Sequence, residues 1–260
     1  MNPLTKEWHI LKQTIIFFTR IPIPISSQYR ASDTQNAIRY LPLIGGLVGL
    51  WASSVFILTT HFFSTEMSIF LSMISTIVLT GAIHEDGFAD FCDSLGGMTP
   101  EKRLLIMKDS HIGAFGVIGL LGILSGKYLF LTNIPTAHLP CIFISGHILS
   151  RFFILFLMLF LPYAGKIETS KSITMVQSAH INNICIATVI TGLICLSLPL
   201  YVFVSIPVLI CMTVILFLYY KKSIGGYTGD YLGAAQQLIE AAHYFSFIFW
   251  LNMNQNAVLA

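Results

Sequence analysis

Residues 84–97 read His-Glu-Asp-Gly-Phe-Ala-Asp-Phe-Cys-Asp-Ser-Leu-Gly-Gly, and residues 106–116 read Ile-Met-Lys-Asp-Ser-His-Ile-Gly-Ala-Phe-Gly. Between positions 84 and 116 lie six of the twelve acidic residues of the chain: Glu85, Asp86, Asp90, Asp93, Glu101 and Asp109. Apolar segments long enough to cross a bilayer stand on either side, which makes this stretch a polar patch on a membrane-embedded body. In a helix, Asp86, Asp90 and Asp93 fall at i, i+4 and i+7 and share one face. Unpaired, the three carboxylates repel one another. A divalent cation turns that repulsion into binding, and hard oxygen ligands suit Mg²⁺ better than zinc or copper. Gly87 lets a ligand or a neighbouring helix approach the backbone. A solvated acidic loop is the other reading of the cluster, and spacing does not separate the two.

The rest of the composition agrees with a membrane body. The 260 residues are 55% hydrophobic and 10% charged, with a mean hydropathy of +0.77. A water-soluble chain carries about 25% charged residues. The expected class is all-α: a polytopic transmembrane helical bundle forming a single domain over 1–260. An interfacial amphipathic arm at 1–40 precedes the bundle at 41–251. A net charge of +2 gives no reason to expect nucleic acid. The five cysteines form no CxxC pair and four lie in apolar runs, so neither disulfides nor zinc are expected. The N-terminus lacks the pattern of a cleavable signal peptide.

Within the arm, Lys12 and Arg20 bracket Ile15–Phe18 too closely for a span, and the prolines of Arg20-Ile-Pro-Ile-Pro-Ile break any helix. An interfacial helix followed by an extended segment carrying Arg20, Arg30 and Arg39 is expected. Seven apolar segments follow, at about 41–60, 67–84, 112–132, 138–161, 181–198, 202–220 and 231–251. Twelve of the fourteen Lys and Arg residues lie in the first 40 residues and in the loops 85–111, 162–180 and 221–230. The positive-inside rule then puts the N-terminus and every polar motif on the cytoplasmic side. Of the two remaining cations, Lys127 is expected to snorkel to the far surface and Arg151 to face a polar cavity. Gly45 and Gly49, and the series Gly113, Gly116, Gly119, Gly122 and Gly126, read as helix-packing faces. Gly225-Gly226-Tyr227-Thr228-Gly229-Asp230 is a glycine turn whose amides can meet phosphate, with a further carboxylate beside it.

Carboxylates for Mg²⁺, basic residues and a glycine turn are the parts of phosphoryl transfer. No GxSxG elbow or HExxH motif supports a hydrolase or protease. Taken in order, Phe18-Thr19-Arg20-Ile21-Pro22-Ile23-Pro24, Arg39-Tyr40-Leu41-Pro42-Leu43-Ile44-Gly45, Gly81 to Asp90 with Asp93, Ile106 to Gly116, Arg151 and Gly225 to Asp230 resemble the cobalamin synthase family, the adenosylcobinamide-GDP ribazoletransferases. The likeness covers essentially the whole chain. Two departures are visible: Phe91-Cys92 replaces small residues, and His111 stands where the family commonly has arginine.

The resemblance implies a Mg²⁺-dependent enzyme of the bacterial inner membrane with a cytoplasmic active site. Its substrates would be adenosylcobinamide-GDP and α-ribazole or α-ribazole 5′-phosphate, its products adenosylcobalamin or its 5′-phosphate and GMP. It also implies Asp86, Asp90 and Asp93 as metal ligands. Lys108 and Arg39 would neutralise phosphate, with Arg20, Arg151, Ser110, Gly225, Gly226 and Thr228 contacting substrate. His84, Asp109 and Asp230 remain three alternatives for the group that takes the hydroxyl proton. The lipid bilayer is the expected partner, and a homo-oligomer is left open. Two rivals remain. One is a CDP-alcohol phosphotransferase, whose pattern the residues after Asp86-Gly87 do not follow. The other is a transporter, which would place its polar groups near mid-membrane.

Overall fold

The computed structural model describes residues 2–24, 36–165 and 179–259; Arg30 and residues 166–178 of the loop 162–180 lie outside the described residues. Asn2 accepts a hydrogen bond from the Leu4 amide and starts α1, Pro3–Phe18. This is the expected amphipathic helix, with Leu4 and Trp8 exposed and Ile10 and Phe18 buried. A 3₁₀ turn at Ala37–Tyr40 leads into α2, Leu41–Thr59. Ser64 caps α3, Thr65–Thr80, through the Met67 amide. Gly81 and Ala82 then both take left-handed backbone angles, with φ of 67° and 59°. That reversal turns the chain by 90° into α4, Ile83–Ser94. The remaining helices are α5 at Pro100–Ile106, α6 at Ala114–Thr132, α7 at Leu139–Phe160, α8 at Ile181–Cys195, α9 at Ile206–Ile224 and α10 at Gly229–Leu259. A 3₁₀ turn at Leu200–Ser205 leads into α9.

The all-helical membrane fold is as expected, but by length and composition fewer than seven of its described helical segments qualify as spans. Among the described residues four helical segments are long and apolar enough to cross a membrane: Ala37–Thr59, Ala114–Thr132, Leu139–Phe160 and Leu200–Ile224. The bent pair α3–α4 makes five if taken as one span. Each expected segment that does not qualify has a physical reason. The segment expected at 67–84 stops at Thr80 because the left-handed pair Gly81–Ala82 redirects the chain. With 15 residues, α8 reaches only about 22 Å, short of a hydrocarbon core of roughly 30 Å. Although α10 has 31 residues, Gln236, Gln237, Glu240 and His243 make it too polar to face lipid. It sits inside instead, packed against α4, α6, α7 and α9.

Outward faces are apolar, as a lipid boundary requires: Leu50, Trp51 and Leu58 on α2, Ile118 and Leu121 on α6, and Val214 and Leu218 on α9 are exposed. Inward, the glycines of α2 behave as packing residues. Gly45 lies against the His147 carbonyl, and a Cβ at Gly49 would stand 2.6 Å from Ile144 Cα. The α6 series divides, which corrects the expectation of one continuous packing stripe. Gly113 and Gly116 press on Asp93 and Gly119 on Cys92, whereas Gly122 and Gly126 have open space before them.

The connections separate into two ends. Around 134–139 and 201, His138 packs on Tyr201 and Phe247 at ring distances of 4.8 and 5.5 Å. At the other end, Tyr227 donates to the Pro162 carbonyl at 3.0 Å and accepts from the Ala164 amide at 2.8 Å. There the starts of α6 and α10 meet the ends of α4 and α9.

Gly49→Leu is expected to destabilise the bundle by about 1–3 kcal/mol through overpacking, and Gly122→Leu to be nearly silent. Thermal unfolding and membrane abundance of the two purified variants check this; equal behaviour would refute the close α2–α7 contact.

Candidate active site

The acidic face of α4 is set by glycine. A Cβ at Gly87 would lie 3.0 Å from Asp230 Cα, and one at Gly233 would lie 3.2 Å from the His84 carbonyl. With no side chains between them, α4 and α10 approach backbone to backbone. Asp86 and Asp90 of α4 are thereby brought to Asp230 on the first turn of α10, and the Asp90 carboxylate feels the charges of Asp230, Asp86 and Asp93. Thr228 Oγ1 accepts from the Tyr231 amide at 3.2 Å and caps α10. Burial, followed by the nearby charge of Asp86, pushes the Asp230 carboxyl up to about 6.

Asp93 does something else as well. Its Oδ2 accepts from the Gly113 amide and its Oδ1 from the Gly116 amide, both at 2.8 Å. It therefore anchors the start of α6 to α4. Asp86 and Asp90 make no side-chain hydrogen bond or ion pair among the described residues. Their donor chemistry fits a hard cation, since two carboxylates without protein partners are an arrangement that water or a cation must complete. Among the described residues no group of three or more His, Cys, Asp or Glu side chains converges on a metal position. Mg²⁺ does not need three: it is typically held by one or two carboxylates together with substrate phosphates.

The other residues singled out in the sequence are dispersed. Arg20 is exposed and lays its guanidinium over Gly81, while its amide donates to the Leu79 carbonyl at 2.7 Å. Arg39 is nearly buried and pairs with Glu7 at 2.7 Å. His84 is 5% exposed, stacked 6.4 Å from the Phe18 ring, and its Nε2 has no partner. Lys108, Asp109 and Ser110 lie exposed on the connection between α5 and α6. Asp109 Oδ1 accepts from the His111 amide at 3.1 Å and stands 2.7 Å from His111 Nδ1. Those hydrogen bonds from the His111 ring and amide hold the Asp109 carboxyl below its ordinary value. Gly225 takes the left-handed conformation that ends α9, with φ 74°, and Gly226 presses on the Pro162 carbonyl. The Tyr227 amide is already committed to Pro162, so less of this turn is free for phosphate than its sequence suggests.

The structure adds partners and residues that the sequence reading did not connect. Arg103 donates from Nε to the Gly97 carbonyl at 2.8 Å and from Nη1 to Tyr219 and Ser223, tying the α5 loop to α9. Deeper, Lys127 is 5% exposed and donates to Gln237 Oε1 and Glu240 Oε1, both at 2.8 Å. The expectation that Lys127 snorkels is therefore wrong: it points inward because Glu240, itself 2% exposed, neutralises it there. His147 Nδ1 lies 3.2 Å from Glu240 Oε2. Arg151, 1% exposed, donates to the His147 carbonyl at 3.2 Å, and its Nε has no partner. The signal for this network was present: Gln236 and Gln237 stand four and three residues, about one helical turn, before Glu240 inside an apolar run.

Asp93→Ala removes the acceptor for two α6 amides and is expected to lower stability by about 1–2 kcal/mol, the scale of a lost helix cap. Glu101→Ala, on the exposed first turn of α5, should be close to neutral. Thermal unfolding of the two variants in detergent compares them directly.

Comparison with known proteins places this geometry in a family. The cobalamin-5-phosphate synthase family matches residues 11–248. A Vibrio cholerae protein named adenosylcobinamide-GDP ribazoletransferase is 38% identical over 244 residues, covering 91% of this chain and 92% of the relative. Proteins of the same name from Shewanella amazonensis and Leptothrix cholodnii are 36% and 34% identical over 251 and 258 residues. They cover 94% and 95% of this chain, and 96% and 98% of the relatives. No solved structure matches. With its matched region running from α1 to near the end of α10, the chain belongs to the cobalamin-5-phosphate synthase family.

Proposed function

We propose that this chain is a membrane-embedded transferase that joins adenosylcobinamide-GDP to α-ribazole, or to α-ribazole 5′-phosphate, and releases GMP. The observation that carries the reading is the pair of partnerless carboxylates, Asp86 and Asp90, facing Asp230 across the Gly87–Gly233 contact in a chain of this family. A ribose hydroxyl that is free in both α-ribazole and its 5′-phosphate, and so not the 5′ one, attacks the phosphorus that carries the cobinamide. A P–O bond forms, the bond from that phosphorus to the bridging oxygen breaks, and GMP leaves with that oxygen. Asp230 takes the hydroxyl proton and passes it to solvent. It is preferred to His84, which is sealed behind Phe18, and to Asp109, which His111 occupies.

Asp86 and Asp90 would hold Mg²⁺, with Asp93 as a third ligand, since its two oxygens keep lone pairs beyond those spent on α6. The bound ion supplies charge neutralisation on the diphosphate. Lys108 and Arg20 serve the same end, Lys108 from the exposed α5–α6 connection and Arg20 from the segment after α1, where its guanidinium lies over Gly81. Arg39 does so only after exchanging its partner Glu7. Because twelve of the fourteen lysines and arginines fall in the first 40 residues and in the loops 85–111, 162–180 and 221–230, the acidic end is read as facing the cytoplasm of a bacterial inner membrane.

Membranes bearing this chain, supplied with adenosylcobinamide-GDP, α-ribazole and Mg²⁺, should form adenosylcobalamin and GMP. Asp86→Asn and Asp90→Asn should each lower turnover about a hundredfold or more, because several kcal/mol of charge stabilisation depend on the ligands. Near-normal turnover in both variants would remove the carboxylates from the site. For orientation, cysteines introduced near residues 100 and 135 are labelled with an impermeant reagent in spheroplasts: the second should react and the first should not.

A further inference from the structure

Glu85 is the neighbour of Asp86 but points elsewhere. Successive residues on a helix differ by about 100°, so when Asp86 stands at the rim, Glu85 turns toward α10. There Glu85 Oε1 accepts from Gln237 Nε2 at 2.9 Å, and Glu85 Oε2 has no partner. The Gln237 amide is fully used. Its other Nε2 proton goes to Gln236 Oε1 at 3.0 Å, and its Oε1 accepts from Lys127 Nζ at 2.8 Å. Gln236 in turn donates to Glu240 Oε2 at 2.6 Å and to Ser150 Oγ at 3.0 Å. A flip of the Gln237 amide would break all three bonds, so its orientation is fixed by the buried Lys127–Glu240 pair.

Elsewhere α4 meets α10 backbone to backbone at Gly87 and Gly233, and near its far end through the Phe91 ring on Tyr231 at 5.0 Å. Phe91 and Asp93 hold the far end of α4, but the glycines beside its first turns present no side chain to interlock, so there the rotation of the Asp86–Asp90 face needs another contact. We infer that the Gln237–Glu85 hydrogen bond is a positioning link, fixing the rotation of α4 and thereby the direction of its Asp86–Asp90 face against the Lys127–Glu240 pair. Neither residue touches the reacting atoms; both act through the helix that carries the carboxylates. The inference rests on the reading of Asp86 and Asp90 as cation ligands.

The test uses the full-length protein in detergent with Mn²⁺ alone, binding being followed by electron paramagnetic resonance. Gln237→Leu keeps volume and removes all three hydrogen bonds, and should weaken Mn²⁺ binding by about tenfold, the scale of losing an outer-shell partner. Glu85→Leu should do the same while leaving Lys127, Glu240 and Gln236 joined, which keeps the measurement readable if Gln237→Leu fails to accumulate. Glu85→Gln retains an acceptor oxygen for Gln237 and should bind Mn²⁺ like the wild type. Unchanged binding in the leucine variants overturns the inference. Equal weakening in Glu85→Gln also overturns it, because Glu85 would then act by its charge and not as a hydrogen-bonded positioner. Should the wild type itself bind no Mn²⁺, the cation reading of Asp86 and Asp90 falls and takes the positioning link with it.

Discussion

Lys127 and Glu240, 2.8 Å apart and almost sealed from their surroundings, set the terms for the rest of the bundle. A lone charge at membrane depth costs about 2.5–3.5 kcal/mol on insertion scales, and removing one member of a buried pair costs about 3–5 kcal/mol because the other is left uncompensated. The two residues must therefore stay together, and the helices that carry them must pack against each other. The same requirement draws in His147 and Gln236, which complete the hydrogen bonding of Glu240. The longest helix, α10, consequently sits in the interior, and the apolar outer faces of α2, α6 and α9 shield it.

The protein keeps two populations of charge with opposite bookkeeping. At depth, cations and carboxylates are matched: Lys127 faces Glu240, and Arg151 lies near Glu240 and Glu85. At the open end the carboxylates of Asp86, Asp90 and Asp230 crowd together, and the first two have no protein partner. A set of acids left unmatched in a chain able to match them elsewhere is the feature on which the proposed cation and anionic-substrate site rests. The two regions adjoin along α4 and α10, where Gly87 meets Gly233 and Glu85 meets Gln237.

Much of this was legible in the sequence. Hydropathy gave the membrane class, and the i, i+4, i+7 spacing put Asp86, Asp90 and Asp93 on one helix, α4. What escaped was of two kinds. Backbone reversals such as Gly81–Ala82 are invisible to a hydropathy window, because a left-handed alanine is set by tertiary packing and not by its own preference. Partners far apart in sequence were equally hidden: Glu7 for Arg39, Glu240 for Lys127 and the α6 amides for Asp93. Each of these residues was noticed as a charge, but its role depends on a helix that spacing along its own segment does not describe.

Helix termini show how the acidic end folds without a counter-ion. Asp86 lies in the first turn of α4, Asp230 in the first turn of α10, and Asp93 accepts from the first amides of α6. An α-helix carries about half a positive charge at its N-terminus, and an acidic group there gains about 0.3–1 kcal/mol. Three such termini converge where the carboxylates do. Their partial charges offset part of the mutual repulsion without supplying a single counter-ion, and being fixed in the backbone they cannot close the site as a lysine would. The acidic face is thus stable enough to form while keeping its negative charge.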